Sequence, residues 1–249
     1  MNRPKLVAHR GFAAKYPENS KSAFNAAIAL GGTYLELDVQ LTADHIPVVI
    51  HDTTLSRTGN DETNVICAEW QSLQAKTIGE SERLGEAFSN EKLMALADFA
   101  DLLEANPQVH AFVEIKEESV EKFGAEIVAS SVMETLTRVK KQCSIISFDS
   151  FILFHLQKNY PEMAIGFVLH KYDDEHKGIA EQMQPDILIC NYKKIPDEDG
   201  SLWEGNCQWF IYEVVEVDVA WKWFQRGVEY IETMEFESMM NELEKGVSQ

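Results

Sequence analysis

Leu35-Glu36-Leu37-Asp38-Val39, preceded by Tyr34, is the stretch on which the fold turns. Its apolar and aromatic residues favour a strand. Side chains two apart on a strand share a face, so Glu36 and Asp38 project to one side and Leu37 to the other. Two carboxylates this close repel unless a cation or a shared proton lies between them. Oxygen ligands at this spacing suit a hard cation, Mg²⁺ or Ca²⁺. An isolated E-x-D in a strand is more often plain surface alternation, so its meaning depends on what the rest of the chain brings to it.

Working outward, Leu6-Val7-Ala8 is a short buried strand that ends at His9-Arg10-Gly11. Asn19 or Ser20 caps a helix with Ala23, Phe24, Ala27, Ile28 and Leu30 on its apolar face, and Gly31-Gly32 stops it. After the central strand, Asp44-His45-Ile46-Pro47 turns the chain and Val48-Val49-Ile50 leads into His51-Asp52. Periodicity weakens over 53–91, which reads as a small cap-like insertion after the second strand. A helix follows over 93–104. Beyond Asn106-Pro107 the alternation is steady: strands near Phe112, Ile145, Gly166, Leu188, Phe210 and Ile231, with helices predicted over about 120–138, 151–157, 179–183, 219–225 and 235–243. With those at Leu6 and Tyr34 this makes eight strands, each followed by a helix or helical turn. Such alternation implies a parallel sheet, and eight units imply a closed (β/α)₈ TIM barrel. The expectation is a single α/β domain over 1–249.

Composition agrees with an ordinary globular chain of 249 residues, 45% hydrophobic and 25% charged. With 41 acidic and 22 basic residues the formal net charge is -19, which argues against nucleic acid or an anionic membrane surface as a partner. Cys67, Cys143, Cys190 and Cys207 show no C-x-x-C spacing, so neither a zinc site nor a redox motif is indicated. No apolar leader and no run of 18 apolar residues is seen. The expected location is cytoplasmic, without stable membrane anchoring.

In such a barrel the active site lies at the C-terminal ends of the strands. His9 and Arg10 end strand one, Glu36 and Asp38 approach the end of strand two, and His51 ends the extended run after it. Glu114 and Lys116 end strand three. Three carboxylates on one rim call for a divalent cation, with Glu36, Asp38 and Glu114 as ligands. Arg10 and Lys116 beside them suit a phosphate. The two histidines titrate near neutrality and fit proton transfer to and from alkoxide and hydroxyl. The composite is metal-assisted phosphodiester cleavage by general acid–base catalysis.

His9-Arg10-Gly11, Pro17-Glu18-Asn19-Ser20 with Ala23-Phe24, Glu36-x-Asp38, Val48 to His51-Asp52 with Leu55 and Arg57, and Glu114-Ile115-Lys116 together resemble the glycerophosphodiester phosphodiesterase family. The resemblance continues through Ser147-Phe148-Asp149 and Gly227-Val228-Glu229-Tyr230-Ile231. It implies a TIM barrel with an insertion after the second strand, one divalent cation, Mg²⁺ or Ca²⁺, and hydrolysis of glycerophosphodiesters to glycerol 3-phosphate and an alcohol. By motif, His9 and His51 resemble the acid–base pair, Glu36, Asp38 and Glu114 the metal ligands, and Arg10 and Lys116 the phosphate contacts. The implied partner is a small-molecule glycerophosphodiester, and homo-oligomerisation is left open.

The chain departs from the family at strand seven, where a Trp-Thr-Val-Asn run is replaced by Tyr212-Glu213-Val214-Val215, and after strand eight, where Thr-Asp is replaced by Thr233-Met234. Tyr212 and Glu213 therefore read as a wall of the substrate pocket, with Glu213 favouring a cationic head group such as choline or ethanolamine. Glu18 reads as structural, and Asp52 as orienting His51 or pairing with Arg57. The remaining histidines and the acidic stretch from Glu232 to Glu244 read as structural or solvated. Two rivals stand beside this reading. A lipid-directed phospholipase C-like or lysophospholipase D barrel wants an apolar, membrane-docking rim. An inactive phosphometabolite-binding barrel would have lost a histidine or a ligand.

Overall fold

The computed structural model describes residues 3–198 and 200–246. Among these, eight parallel strands close on one another: Lys5–Ala8, Tyr34–Leu41, His110–Ile115, Cys143–Ser147, Ala164–Val168, Ile187–Asn191, Gln208–Tyr212 and Val228–Thr233. Closure is made where Ala8 registers with Thr233 on one side and with Leu35 on the other. This is a TIM barrel, as the alternation of elements predicts.

The period-two pattern sorts each strand between two cores. Leu35, Leu37, Val39, Val113, Ile115 and Ile231 face outward and pack with helix residues such as Phe24, Phe99, Val132 and Phe236. The other face fills the barrel: Val7, Phe112, Ile146, Val168, Ile189, Phe210 and Tyr230 form a separate buried cluster. Its rings meet edge to face, with Phe112 5.0 Å from Phe210 and 5.1 Å from Tyr230. Such pairs contribute about 0.5–1.5 kcal/mol each beyond area burial. They floor the barrel, and the residues next along the same faces stand above that floor.

The sequence after the second strand folds back on it. Pro47–Val49 runs antiparallel to Val39–Leu41, and Met94–Ala95 runs antiparallel to that. Between them lie a hairpin of Thr54–Leu55 with Asp61–Asn64 and short helical turns at Ser56–Gly59, Trp70–Leu73 and Ser81–Leu84. Val48, Ile50, Leu55, Val65, Leu73, Ile78 and Leu93 give this segment an apolar cluster of its own.

Two predicted elements differ. The helix expected over 120–138 is two helices, Glu117–Phe123 and Ala125–Leu136, broken at Gly124 with φ +82°. That left-handed conformation is open to glycine at no side-chain cost, and both flanking sequences are good helix formers, which hides the break. The predicted short helix at 179–183 begins earlier, at Asp174, where the Asp173 carboxylate accepts from the His176 N–H.

Candidate active site

Strand one delivers His9 and Arg10 through a sharp loop. Arg10 has φ +53° and Gly11 φ +77°. A Cβ on Gly11 would stand 2.7 Å from the Ala23 carbonyl carbon, so the loop can lie against the helix Lys21–Ala29 only with glycine there. Left-handed geometry in a residue such as Arg10 costs on the order of 1 kcal/mol and concentrates at functional sites. Here it turns the Arg10 N–H toward the Glu36 carboxylate, 3.1 Å away.

Strands two and three register Asp38 beside Glu114 and Glu36 beside Phe112. Ligand oxygens of Glu36, Asp38 and Glu114 all lie within 4.8 Å of one another. Lys116 Nζ is 2.7 Å from Glu114 and 3.4 Å from Asp38. Arg10 lies 3.0 Å from Asp38 through Nε and 2.9 Å from Glu18 through Nη1. The buried Arg10 Nε is too poorly aligned with Asp38 to count as a hydrogen-bond donor to it. Asn19, itself at φ +55°, donates to Asp38 at 2.9 Å.

These contacts divide the carboxylates. Burial opposes ionisation of Asp38, yet Arg10 and Lys116 hold it below the usual range. Burial and the neighbouring Asp38 push Glu114 up to about 7. Burial and Asp38 also raise Glu36 well above the usual range. Burial lowers His9 to about 3, with the Arg10 charge acting in the same direction. Lys116 is raised because Asp38 and Glu114 outweigh its burial.

His51 comes from the segment after the second strand. Its Nδ1 is 2.6 Å from Asp52, and Asp52 also accepts from Arg57 Nε at 2.8 Å. Both roles weighed for Asp52 are therefore present together. Arg57 forks onto Glu18 at 2.7 and 2.8 Å, so Glu18 joins Arg10 to Arg57 and ties the strand-one loop to the segment carrying His51. Glu80 accepts from the Glu18 N–H at 2.6 Å, and Arg83 donates to the Ala13 and Tyr16 carbonyls at 2.8 Å. Glu18 is thus a structural hub, as its sequence context suggests.

His9, Arg10, Glu36, His51, Glu114, Lys116, Tyr212 and Glu213 line one cavity of about 170 Å³ above the aromatic floor. Asp38 is buried behind it, in contact with Arg10 and Lys116. Glu213, at φ +65°, is exposed and accepts from Asn191 at 2.8 Å. The cavity also contains Glu232, which the sequence reading assigned to a solvated face. That assignment is corrected: Glu232 is 4% exposed and belongs to strand eight. Alternation with Tyr230, which packs into the floor, is the signal that places it inward. The tail's many acids disguised it.

The comparisons match this picture. Residues 9–198 match the model of the glycerophosphoryl diester phosphodiesterase family. A glycerophosphodiester phosphodiesterase of Caldanaerobacter subterraneus is 28% identical over 97% of this chain and 98% of that protein. One of Bacillus altitudinis is 54% identical, over 22% of this chain and 23% of that protein. Among solved structures, an Oleispira antarctica phosphodiesterase in complex with the product sn-glycerol-3-phosphate superposes with a TM-score of 0.85 at 20% identity, covering 97% of each chain. A Silicibacter pomeroyi structure gives 0.84 at 18% identity, covering 98% of this chain and 94% of that one; both likenesses concern the fold. A matched stretch that begins at His9 and takes in strands two to six establishes that this chain belongs to the glycerophosphoryl diester phosphodiesterase family.

Proposed function

We propose that this protein hydrolyses small-molecule glycerophosphodiesters to glycerol 3-phosphate and an alcohol, using a divalent cation and the His9/His51 pair. The observation that carries this reading is the meeting of Glu36, Asp38 and Glu114 within 4.8 Å, beside a cavity lined by both histidines, Arg10 and Lys116. Two buried carboxylates and the half-buried Glu114, faced by two cationic side chains, leave a charge that a hard dication answers, so the residues fit Mg²⁺ or Ca²⁺. Bound there, such an ion supplies charge neutralisation at the phosphoryl oxygens.

The chain's own residues do the rest. Arg10 and Lys116 draw the phosphate into the cavity and hold it. Asp52 fixes the ring of His51 through Nδ1, leaving Nε2 for proton transfer. His51, held by a carboxylate, gives its proton to the departing alkoxide. His9, kept neutral by burial, takes the proton of the attacking hydroxyl, whether from water or from the glycerol 2-hydroxyl. Tyr212 and Glu213 form the wall on the alcohol side, where Glu213 favours a cationic head group. Residues 1–249 work as one domain, with 53–91 as the cap-like insertion that braces the His51 side. No described helix is long and apolar enough to cross a membrane.

The test is glycerol 3-phosphate release from a panel of glycerophosphodiesters, with and without chelator, for wild type and His9→Ala. The expected result is activity lost under either treatment. Activity surviving both would overturn the mechanism.

A further inference from the structure

Four carboxylates converge on the barrel mouth, and they are not answered alike. Asp38 has Arg10, Lys116 and Asn19, and Glu114 has Lys116. Glu36 receives only the Arg10 backbone N–H. Glu232 makes no side-chain hydrogen bond among the described residues. It is 96% buried by its 4% exposure, yet it opens onto the cavity. The nearest polar side-chain atom recorded for it is His9 Nε2, at 3.9 Å. That same nitrogen is 3.9 Å from Glu36. Both distances exceed a hydrogen bond, so an imidazole and two carboxylates point at a common gap without touching across it. Burial without a cationic partner in hydrogen-bond reach disfavours the ionised form of an acid, and an ion in the gap supplies the counter-charge to both carboxylates.

We infer that His9, Glu36 and Glu232 form a second divalent-cation site, adjoining the Glu36/Asp38/Glu114 site through the shared Glu36. The ligand atoms of the three lie within 4.8 Å of one another. One imidazole nitrogen with two carboxylate oxygens is a donor set for Zn²⁺, with a position left open, whereas the all-oxygen neighbour favours Mg²⁺ or Ca²⁺. The two sites therefore differ in the metal they select. One consequence rests on the functional reading above: an ion on His9 Nε2 withholds that nitrogen from proton transfer, so Zn²⁺ represses the activity that Mg²⁺ supports.

The test reads binding rather than turnover. Chelator-stripped full-length protein is saturated with Mg²⁺ and titrated calorimetrically with Zn²⁺. Wild type is expected to take up one Zn²⁺ per chain that Mg²⁺ does not displace. Glu232→Gln, which removes one of the two carboxylate ligands, is expected to weaken that uptake about 100-fold or more, since even outer-sphere partners of a metal contribute 10–100-fold. Glu114→Gln, whose residue serves only the neighbouring site, is expected to retain it. A second readout needs no variant: Co²⁺ added over Mg²⁺ should shift the His9 imidazole resonances at the first equivalent. Unchanged Zn²⁺ affinity in Glu232→Gln, Zn²⁺ displaced by Mg²⁺, or unperturbed His9 resonances would each overturn the second site. Loss of activity on chelation would stand regardless, so the two readings fail separately.

Discussion

The two arcs of the barrel mouth are built on opposite terms. On the arc of strands two and three, Asp38 and Glu114 are register neighbours, and Arg10, Lys116 and Asn19 hold their carboxylates. That arc is braced from outside by the chain from Arg57 to Glu18, Glu80 and Arg83. On the arc of strands seven and eight, Glu232 is buried with no such partner among the described residues, and Glu213 leans outward onto Asn191. On the first arc Arg10 and Lys116 keep the negative charge of Asp38 in place before any ligand arrives. On the second, Glu213 has Lys193 at 3.9 Å, while Glu232 has no Lys or Arg ion pair among the described residues.

The sharpest way to break this contrast is to strip the braced arc. Asp38→Asn removes a proposed ligand and leaves Arg10 and Lys116 facing one carboxylate fewer. We expect a loss on the order of 10⁴-fold in kcat/KM, the scale of several kcal/mol of charge stabilisation, measured at saturating Mg²⁺. A loss below tenfold would mean that this arc is structural only. Next, His9→Ala and His51→Ala should each lower kcat roughly 10³-fold with substrate binding retained, within the range for general acid–base catalysis. Retention is checked by titration with glycerol 3-phosphate.

Much of the braced arc can be read without coordinates. Alternation in Leu35 to Val39 separates the two faces, and the eight-fold succession of strands and helices says which strand ends meet. Glu36, Asp38 and Glu114 follow from those two facts, and His9 and Arg10 from the end of strand one. Glu232 was missed because Glu229, Glu232, Glu235, Glu237, Glu242 and Glu244 crowd the same tail, where helical spacing and strand alternation compete. Its inward position depends on where strand eight ends, at Thr233. The bracing was out of reach for another reason. Arg83 meets Ala13 and Tyr16 across about seventy residues of chain whose periodicity is weak, and no local pattern encodes such a contact. Gly124 escaped because one residue's positive φ leaves no trace in amphipathic spacing.

A pH experiment sharpens the contrast. Glu114 has its pKa raised to about 7 by burial and Asp38, above its value in an unfolded chain. Between about pH 4.5 and pH 7 the unfolded state therefore binds fewer protons than the folded one, and this group's contribution to stability falls as pH rises through that window. A cation that requires the ionised carboxylate reverses the loss. The rise in Tm on adding Mg²⁺ should be larger at about pH 8 than at about pH 5.5. A rise that is equal at both, or larger in acid, would contradict a cation held by Glu114.

Smaller effects test the bracing and the open arc. Arg83→Ala leaves the Ala13, Ala14 and Tyr16 carbonyls of the strand-one loop without their donor, and should cost about 1–3 kcal/mol, a fall in Tm of roughly 2–4 °C per kcal/mol for a chain of this size. An unchanged melting curve would remove the brace from the account. Glu213→Gln should be the mildest, since its carboxylate is exposed and shared with Asn191. We expect about a twofold drop in preference for glycerophosphocholine over an uncharged glycerophosphodiester, on the scale of an exposed ion pair. Equal turnover of glycerophosphocholine by wild type and variant would dismiss Glu213 as a selector.

The most direct measurement is an anomalous difference map from crystals grown in Mn²⁺, a stand-in for Mg²⁺ detectable at a chosen wavelength. The account predicts a peak within bonding distance of Glu36, Asp38 and Glu114 together. A map with full Mn²⁺ occupancy elsewhere and nothing between those three carboxylates would contradict it.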